Sequence, residues 1–524
     1  MSDNPQPAPA VAMTRPQFVM PPSGGTGATY EFFGPTVINA PLSAGNQVIG
    51  QDRTADEQQY LFQVASVYTY WRNQYILGPA SAQGSPFIPT DTAALFQQQV
   101  SARPGAPAAA RQLQRRPIAL PDAIRDFWRV LLLGKPGGGK TSYLQYMALQ
   151  CTRPETTPIP GLLPVVVDLS MYTTTAPMLD FVRNFLRNPP NPQPPEPPVH
   201  VQSAWMADSL ETYLQNGRIL LMLDGLNELP ALPLPAAAAR LAQIQAFFRQ
   251  YTQIRTIVTC RMLDYTTEFD GLDFHTVLLD PWSVDQIADY LQKRQAAGLL
   301  DRLRAGDPLL LSLGQVPFLL YMLTELVANF PLPAGNAAAP EFLTSQSGLF
   351  KQFVEMLLNW ATLKDQENAL FFPRPVIIAA LAQLAAAMGQ AGYRGTSVPH
   401  DWAGAHLASD PLALFQGLPP PEGLQGDPRD HLLDFSCAAT ILDTPATRDT
   451  VRFWHLTHQD YFNALAAQQP GVLLGPLTPA TDDVTSLAAA MAPQPDAAIA
   501  GILQQNDPRA AIVAAKALLS AGGG

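Results

Sequence analysis

An α/β fold, with a parallel sheet flanked by helices and followed by mostly helical modules, is predicted by three observations. The segment VLLLGKPGGGKTSYL runs four apolar residues, Val130 to Leu133, into Gly134, three further glycines, Lys140 and Thr141. Between Asp126 and Asp280, short apolar runs alternate with helix-length segments, the pattern of a parallel sheet covered by helices. Beyond Asp280, helical periodicity takes over through Ser283 to Lys293, Leu309 to Phe330, Leu349 to Leu363 and Val376 to Met388.

The elements follow in chain order. Residues 1–50 are rich in Pro, Gly and Asn, with one strand-like piece at Thr36 to Ile38, and read as a loosely ordered leader. From Thr54 to about Tyr75, Tyr60, Leu61, Val64, Val67, Tyr68 and Trp71 recur at helical spacing, so 51–115 reads as a helical segment closed by the linker SARPGAPAAARQ. A sheet domain over 116–280 holds five expected strands: Val130 to Leu133, Val165 to Leu169, Ile219 to Leu223, Thr256 to Thr259 and Thr276 to Leu279. The run NPPNPQPPEPPVH from Asn188 cannot be a helix or a central strand and reads as an extended surface insertion. Helical modules are expected over 281–345 and 346–470. The tail 471–524 looks like one or two helices of a repeat array, too few to bury a repeat core alone.

Composition narrows the function. The 524 residues are 47% hydrophobic, enough for several cores, and 14% charged with a formal net charge of −11. No run of Lys and Arg appears, so a direct nucleic-acid ligand is not expected. Two of the six lysines, Lys135 and Lys140, lie in the glycine loop, which sharpens the case that Lys140 has a task there. Cys151, Cys260 and Cys437 are far apart and lack metal-ligand spacing, which suits a reducing compartment. The N-terminus has no basic start followed by an apolar stretch. The longest apolar run, PVIIAALAQLAAAMG, is too short and Ala-rich to span a membrane. A cytosolic protein without membrane contact is expected.

The loop itself is a phosphate cradle. Only glycines let a backbone curl its N–H groups around an anion, and the following helix, expected from Thr141 to Leu149, adds its positive dipole end. The expected contacts run from Gly134, Lys135, Pro136, Gly137, Gly138 and Gly139 through Lys140 to Thr141 and Ser142. Lys140 would reach the β- and γ-phosphates and the Thr141 hydroxyl would hold Mg²⁺.

Further acids and a base stand at other strand ends. RILLMLDGLNELP places Asp224 at the carboxyl end of a strand, the natural second Mg²⁺ anchor, and Glu228 four residues on, where it could polarise an attacking water. Both also read as ordinary helix-start acids. TIVTCR delivers Arg261 to the same sheet edge, where a planar guanidinium could sense a γ-phosphate or simply form a surface ion pair.

Taken together, GKPGGGKT, LLMLDGLNEL and IVTCRMLDY resemble the NACHT family of signal-transduction ATPases, the STAND class. LLDPWSVDQIADYL resembles the family's lead into its helical domain, QVPFLLYML its proline motif, and RFWHLTHQDYFNALAA its winged-helix signature, so the resemblance spans roughly residues 115–468. It also extends to YLFQVASVYTYWRNQYILG, similar to the lead-in of bacterial members. It implies a P-loop NTPase domain followed by helical and winged-helix domains, with ATP and ADP as ligands. Pro317 would then lie near the base or sugar, and His455 would touch the ADP β-phosphate. Read without the resemblance, a His between Trp454 and Leu456 is a core residue. Two departures stand out: Asn227 replaces an acid of the family's DGxDE, and Asp460 replaces the glutamate of QEYF. The first bears on the hydrolysis rate; the second is expected to be mild.

The function so implied is a slow ATPase acting as a nucleotide-dependent switch, self-associating on activation by an unknown protein or phage-derived trigger, in bacterial defence. A working AAA+-like ATPase acting on a macromolecule and a non-hydrolysing nucleotide-bound scaffold are the alternatives, the second kept open by Asn227.

Overall fold

The computed structural model of the chain describes residues 53–68, 93–100 and 112–521, apart from isolated positions and stretches of which the longest are 192–197, 331–339, 365–371, 408–413, 416–423, 445–449 and 469–476. The expected leader over 1–50, most of the SARPGAPAAARQ linker and most of the proline run lie outside the described residues.

All five expected strands are found, and two more join them. The strands are β1 (Ala93–Val100), β2 (Gln112–Ala119), β3 (Arg129–Gly134), β4 (Leu163–Asp168), β5 (Ile219–Asp224), β6 (Arg255–Arg261) and β7 (His275–Leu279). Their order in the sheet is β2-β1-β7-β3-β6-β5-β4. The five central strands run parallel, while β1 and β2 add an antiparallel hairpin beyond β7. In the central strands, runs such as Val130 to Leu133 are at most 5% exposed, as continuous apolar strands covered on both faces must be. Each such side chain contributes roughly 1.5–3 kcal/mol on burial. AALFQQQV and QLQRRPIA carry too many polar residues to read as core strands, which is why 51–115 was expected to be helical.

Register aligns the carboxyl ends. Gly134 pairs with Arg261 and Asp168 with Asp224, so the loop and three charged residues share one sheet edge. At the opposite end, buried Arg129 donates to the carbonyls of Leu272 (2.7 Å), Phe248 (2.7 Å) and Tyr251 (3.0 Å), tying β3 to its neighbours.

Helices α1 (Ala55–Tyr68), α2 (Leu120–Asp126), α3 (Lys140–Cys151), α4 (Met178–Arg187), α5 (Ala204–Gln215) and α6 (Leu234–Gln250) surround the sheet. Helix α1 belongs to this domain: Tyr60, Leu61, Val64, Val67 and Tyr68 are buried, and the Tyr60 hydroxyl donates to Pro164 O at 2.6 Å. The Asn191 carboxamide oxygen accepts the N–H groups of Val199 (2.9 Å) and His200 (2.8 Å).

Beyond the sheet lie α7 (Val284–Lys293), α8 (Ala297–Ala305), α9 (Pro308–Gly314) and α10 (Pro317–Asn329). The expected helix from Leu309 to Phe330 is two helices, broken where Pro317 starts α10 at its first turn. Next come α11 (Gln346–Lys364), α12 (Arg374–Gln390), β8 (Val398–Pro399), α13 (His400–Leu407), α14 (Pro428–Ala438), β9 (Leu442–Asp443), β10 (Thr450–Phe453) and α15 (Leu456–Ala466), with the short strands ordered β8-β10-β9. One apolar core runs from Ile287 to Ala488 through both expected helical modules.

The tail forms three helices, α16 (Asp482–Ala490), α17 (Pro495–Leu503) and α18 (Ala510–Ala521), around Ile499, Val513 and Ala517. It also docks on the preceding domain, with Ser347 Oγ donating to Ser520 O at 3.2 Å. Among the described residues, no helix is long and apolar enough to cross a membrane.

Candidate functional site

The turn from Gly134 to Thr141 joins β3 to α3 at the carboxyl edge of the sheet. Gly137 (φ 70°) and Gly139 (φ 90°) take left-handed conformations that side chains rarely adopt. The Gly138 N–H donates to Lys135 O at 3.1 Å, and the Lys140 ammonium donates to Gly134 O (3.2 Å) and Lys135 O (3.0 Å). Lys135 contributes its backbone here, its side chain being exposed; Thr141 is exposed, and Pro136 and Ser142 are half-buried. Burial, reinforced by the Arg261 charge, pushes the Lys140 ammonium down to about 8. An anion in the loop would relieve that cost.

Asp224 ends β5 beside this turn. Its carboxylate accepts from Thr259 Oγ1 at 2.5 Å, and Thr259 Oγ1 in turn accepts the Gly225 N–H at 2.8 Å. The Thr141 hydroxyl is also near enough to favour the Asp224 carboxylate, which brings together the two groups expected to share a magnesium ion. Burial raises the Asp224 carboxyl, and these two hydroxyls oppose the rise. Among the described residues no group of three or more His, Cys, Asp or Glu is placed to hold a metal. Magnesium here would therefore take Thr141, Asp224, phosphate oxygens and water, the usual mixed set for this ion.

Glu228 follows in a 3-10 turn, Leu226–Glu228, entered through left-handed Gly225 (φ 77°). Arg261, 8% exposed, pairs with Glu228 (Nη2–Oε1 3.2 Å) and lies 3.6 Å from Asp264, a buried guanidinium between two half-buried acids. Burial raises the Glu228 carboxyl and the Arg261 charge opposes it. Asn227 holds this pair in place: its Oδ1 accepts the Arg261 backbone N–H at 3.0 Å, while its Nδ2 is buried without a hydrogen-bond partner.

Two helix starts close over the loop. At α10, the Phe318 N–H donates to Gly137 O at 3.1 Å, and a methyl added to Gly137 would fall 2.8 Å from Phe318 Cβ. A methyl on Gly139 would lie 3.9 Å from Pro317 Cγ, so Pro317 does border the loop. His455 caps α15: its Nδ1 accepts the Thr457 N–H at 3.2 Å, and its ring stacks on Phe318 at 4.2 Å. Burial first, then His458, Arg261 and Lys140, hold the imidazole well below its ordinary range. It is neutral at pH 7, with Nδ1 accepting and the proton on Nε2.

The same domain touches Arg261. A Cβ on Gly395 (φ 71°) would fall 2.9 Å from both terminal guanidinium nitrogens, so only glycine fits this approach. The Gly395 N–H donates to Gln459 Oε1 at 2.6 Å, and Arg394 makes a two-pronged bond to Asp460 at 3.0 and 2.9 Å. Asp460, substituted relative to the resembled signature, thus anchors the Gly395 loop.

Sequence reasoning missed Thr259, Phe318, Gly395, Asp168 and Arg452. Thr259 carried a signal, a hydroxyl inside a fully buried central strand, where polar groups need a partner. The others act across more than a hundred residues, and no local pattern reveals them.

A scan against models of known protein families gives no match, and no curated protein matches the chain. Solved structures do match. The Aeropyrum pernix Orc1 protein in complex with DNA shares 13% identity over 64% of this chain and 86% of its own, with a TM-score of 0.29. Cdc6p from Pyrobaculum aerophilum shares 15% over 66% and 90%, with a TM-score of 0.25. A Signal Transduction ATPase with Numerous Domains (STAND) protein with a tetratricopeptide repeat sensor, from Pyrococcus horikoshii, shares 10% over 77% of this chain and 47% of its own, with a TM-score of 0.28. The architecture is an α/β P-loop fold with helical C-terminal domains.

Proposed function

We propose that this chain is an ATP- and ADP-binding switch of the STAND class, NACHT-like in its motifs, in which a winged-helix-type domain over 346–470 rests on the nucleotide and leaves when ATP replaces ADP. The observation that carries this reading is Arg261. The guanidinium that in this reading meets a γ-phosphate is paired with Glu228 and covered by Gly395 of the 346–470 domain. A ligand shifts such an equilibrium only through contacts that differ between the two states. A γ-phosphate drawing Arg261 away from Gly395 and Glu228 would supply that difference.

The residues divide the work. The glycines, Lys140 and Ser142 cradle phosphates, Thr141 and Asp224 hold Mg²⁺, which supplies charge neutralisation, and Thr259 fixes Asp224. Neutral His455 offers Nε2–H toward a diphosphate oxygen. Glu228 orients water only when Arg261 releases it, which favours slow hydrolysis in the covered state. The scarcity of basic residues supports a protein partner over nucleic acid, and a role in bacterial defence follows the resemblance in the motifs.

The test is the nucleotide that co-purifies with wild-type protein and with Lys140→Ala, together with mass by light scattering before and after ATP and Mg²⁺. Bound ADP lost in the variant, with ATP-driven growth in mass, supports the switch. Rapid hydrolysis at constant mass favours a working ATPase instead.

A further inference from the structure

We propose that Arg452 is an electrostatic latch, resting on the switch reading above, that holds the 346–470 domain over the nucleotide site by pairing with Asp168 at the end of β4 and hydrogen-bonding Ser170 just beyond it. Arg452 lies on β10. Its Nε donates to Asp443 Oδ2 at 3.0 Å within its own domain, its Nη1 donates to Ser170 Oγ at 2.9 Å, and the same nitrogen lies 3.7 Å from Asp168 Oδ2. The crossing joins residues 282 positions apart.

Three features make this contact a latch and not merely packing. Each half is fixed within its own domain. Arg452 and Asp443 are register partners across β10 and β9, and the Asp168 carboxylate accepts the Ser170 N–H at 2.8 Å. Separation therefore costs only the crossing bonds. Arg452 also keeps a counter-ion after separation, because Asp443 travels with it. An arginine whose sole carboxylate lay across the interface would lose its counter-ion on opening. Here the Arg452 and Asp168 side chains are 23% and 18% exposed, and both would turn to water.

The third feature is location. Asp168 is the register partner of Asp224 on the neighbouring strand, so the latch closes one strand away from the carboxylate that would hold magnesium. The Arg452 charge is felt at Glu228, and that of Asp168 at both Glu228 and Asp224. Opening removes a cation from a group of three carboxylates, leaving Lys140 and Arg261 to balance them. The nucleotide-domain half of the latch thus stands beside the groups assigned to the nucleotide chemistry, one strand over from Asp224.

The experiment measures release of a fluorescent ADP analogue from full-length protein in Mg²⁺ buffer for wild type, Asp168→Asn, Arg452→Gln and the double variant. Asparagine keeps the oxygen that accepts the Ser170 N–H and removes only the charge. Arg452→Gln should release the analogue roughly ten- to a hundredfold faster, the effect of losing a charge-assisted bond, and Asp168→Asn about two- to fivefold faster, the effect of losing a partly exposed ion pair. The double variant should be no faster than the faster single, because both changes cut one contact. Arg452→Lys, which retains the charge, should recover part of the slow rate and guards against misfolding in Arg452→Gln. Release at the wild-type rate from Asp168→Asn, or single effects that multiply in the double, overturns the latch while leaving the switch intact. Wild-type protein that neither retains ADP nor grows in mass with ATP overturns the switch, and the latch with it.

Discussion

Thr259 Oγ1 sits between Asp224 and Gly225, giving a hydrogen bond to the carboxylate at 2.5 Å and taking one from the amide at 2.8 Å. A single buried hydroxyl thus sets both the direction of the expected magnesium anchor and the left-handed turn that leads to Glu228. Thr259→Val, matched in shape, should lower Mg²⁺-dependent turnover about 10–100-fold, the cost typical of losing an outer partner of a metal ligand. Thr259→Ser should restore most of it. Titrating activity with Mg²⁺ checks the claim: the valine variant needs more Mg²⁺, and an unchanged Mg²⁺ dependence would show that the hydroxyl serves folding alone.

Lys140 predicts a proton linked to nucleotide binding. Its ammonium is held down to about 8, against roughly 10.4 for an unburdened lysine. A bound phosphate favours the charged form and raises that value, so binding above pH 8 takes up a proton and affinity falls as pH rises through 8. Below about pH 7 the lysine is protonated with or without ligand, and affinity is flat with respect to this group. Calorimetry of ATP binding at pH 8.5, in two buffers of different ionisation enthalpy, reads the proton directly.

His455 carries the opposite expectation. Its imidazole is kept well below the ordinary range, so it stays neutral across the physiological window. ADP retention through His455 should be level from pH 6.5 to 8. His455→Ala should speed ADP release about tenfold at every pH in that window, as expected for one lost hydrogen bond to a charged group. A titration midpoint near 6.5 in the release rate would contradict this.

Gly395 tests the contact over Arg261. Gly395→Ala meets both the guanidinium nitrogens at 2.9 Å and a backbone at φ 71°, and should cost about 1–3 kcal/mol. Because the clash lies between Arg261 and the Gly395 loop that covers it, it should appear first as faster limited proteolysis and as quicker nucleotide exchange. Arg261→Ala should relieve the steric part, so the double variant should be less sensitive to protease than Gly395→Ala alone.

Asp460 tests the support beneath that glycine. Its carboxylate, buried against Arg394, is raised by burial and held in check by the guanidinium. Asp460→Ala leaves Arg394 uncompensated and should cost about 3–5 kcal/mol by denaturant unfolding. Asp460→Glu, longer by one methylene in a fixed two-pronged bond, should cost less than that.

The central sheet was legible because buried parallel strands must be continuously apolar, and Val130 to Leu133 or Ile219 to Leu223 can be little else. The phosphate cradle was legible because its chemistry is local: glycines, a lysine and a threonine within eight positions. The hairpin β1–β2 was not, since an antiparallel addition at a sheet edge need not be continuously apolar, and AALFQQQV gives no alternation to read. The break between α9 and α10 was missed, because periodicity ran through Pro317, which starts the second helix. The closure of the site was beyond local reading. Arg452 and Gly395 owe their roles to where the third domain sits, and a charged strand residue or a turn glycine looks the same in any loop. Asn227 was noticed only as a departure from a family pattern; its hydrogen bond to the Arg261 backbone gives it a physical role of its own.

The bond from the Phe318 N–H to Gly137 O bears on how this protein can be dissected. One wall of the phosphate loop is made by the first turn of a helix that begins nearly forty residues after the sheet ends. A fragment trimmed at residue 280 would keep every loop residue and still present a different loop, with a bare carbonyl at Gly137 and no ring beside it. Affinities measured on such a fragment would describe a molecule that does not occur in the intact chain. A faithful unit for crystallography or inhibitor screening extends past α10 to His455, whose ring stacks on Phe318.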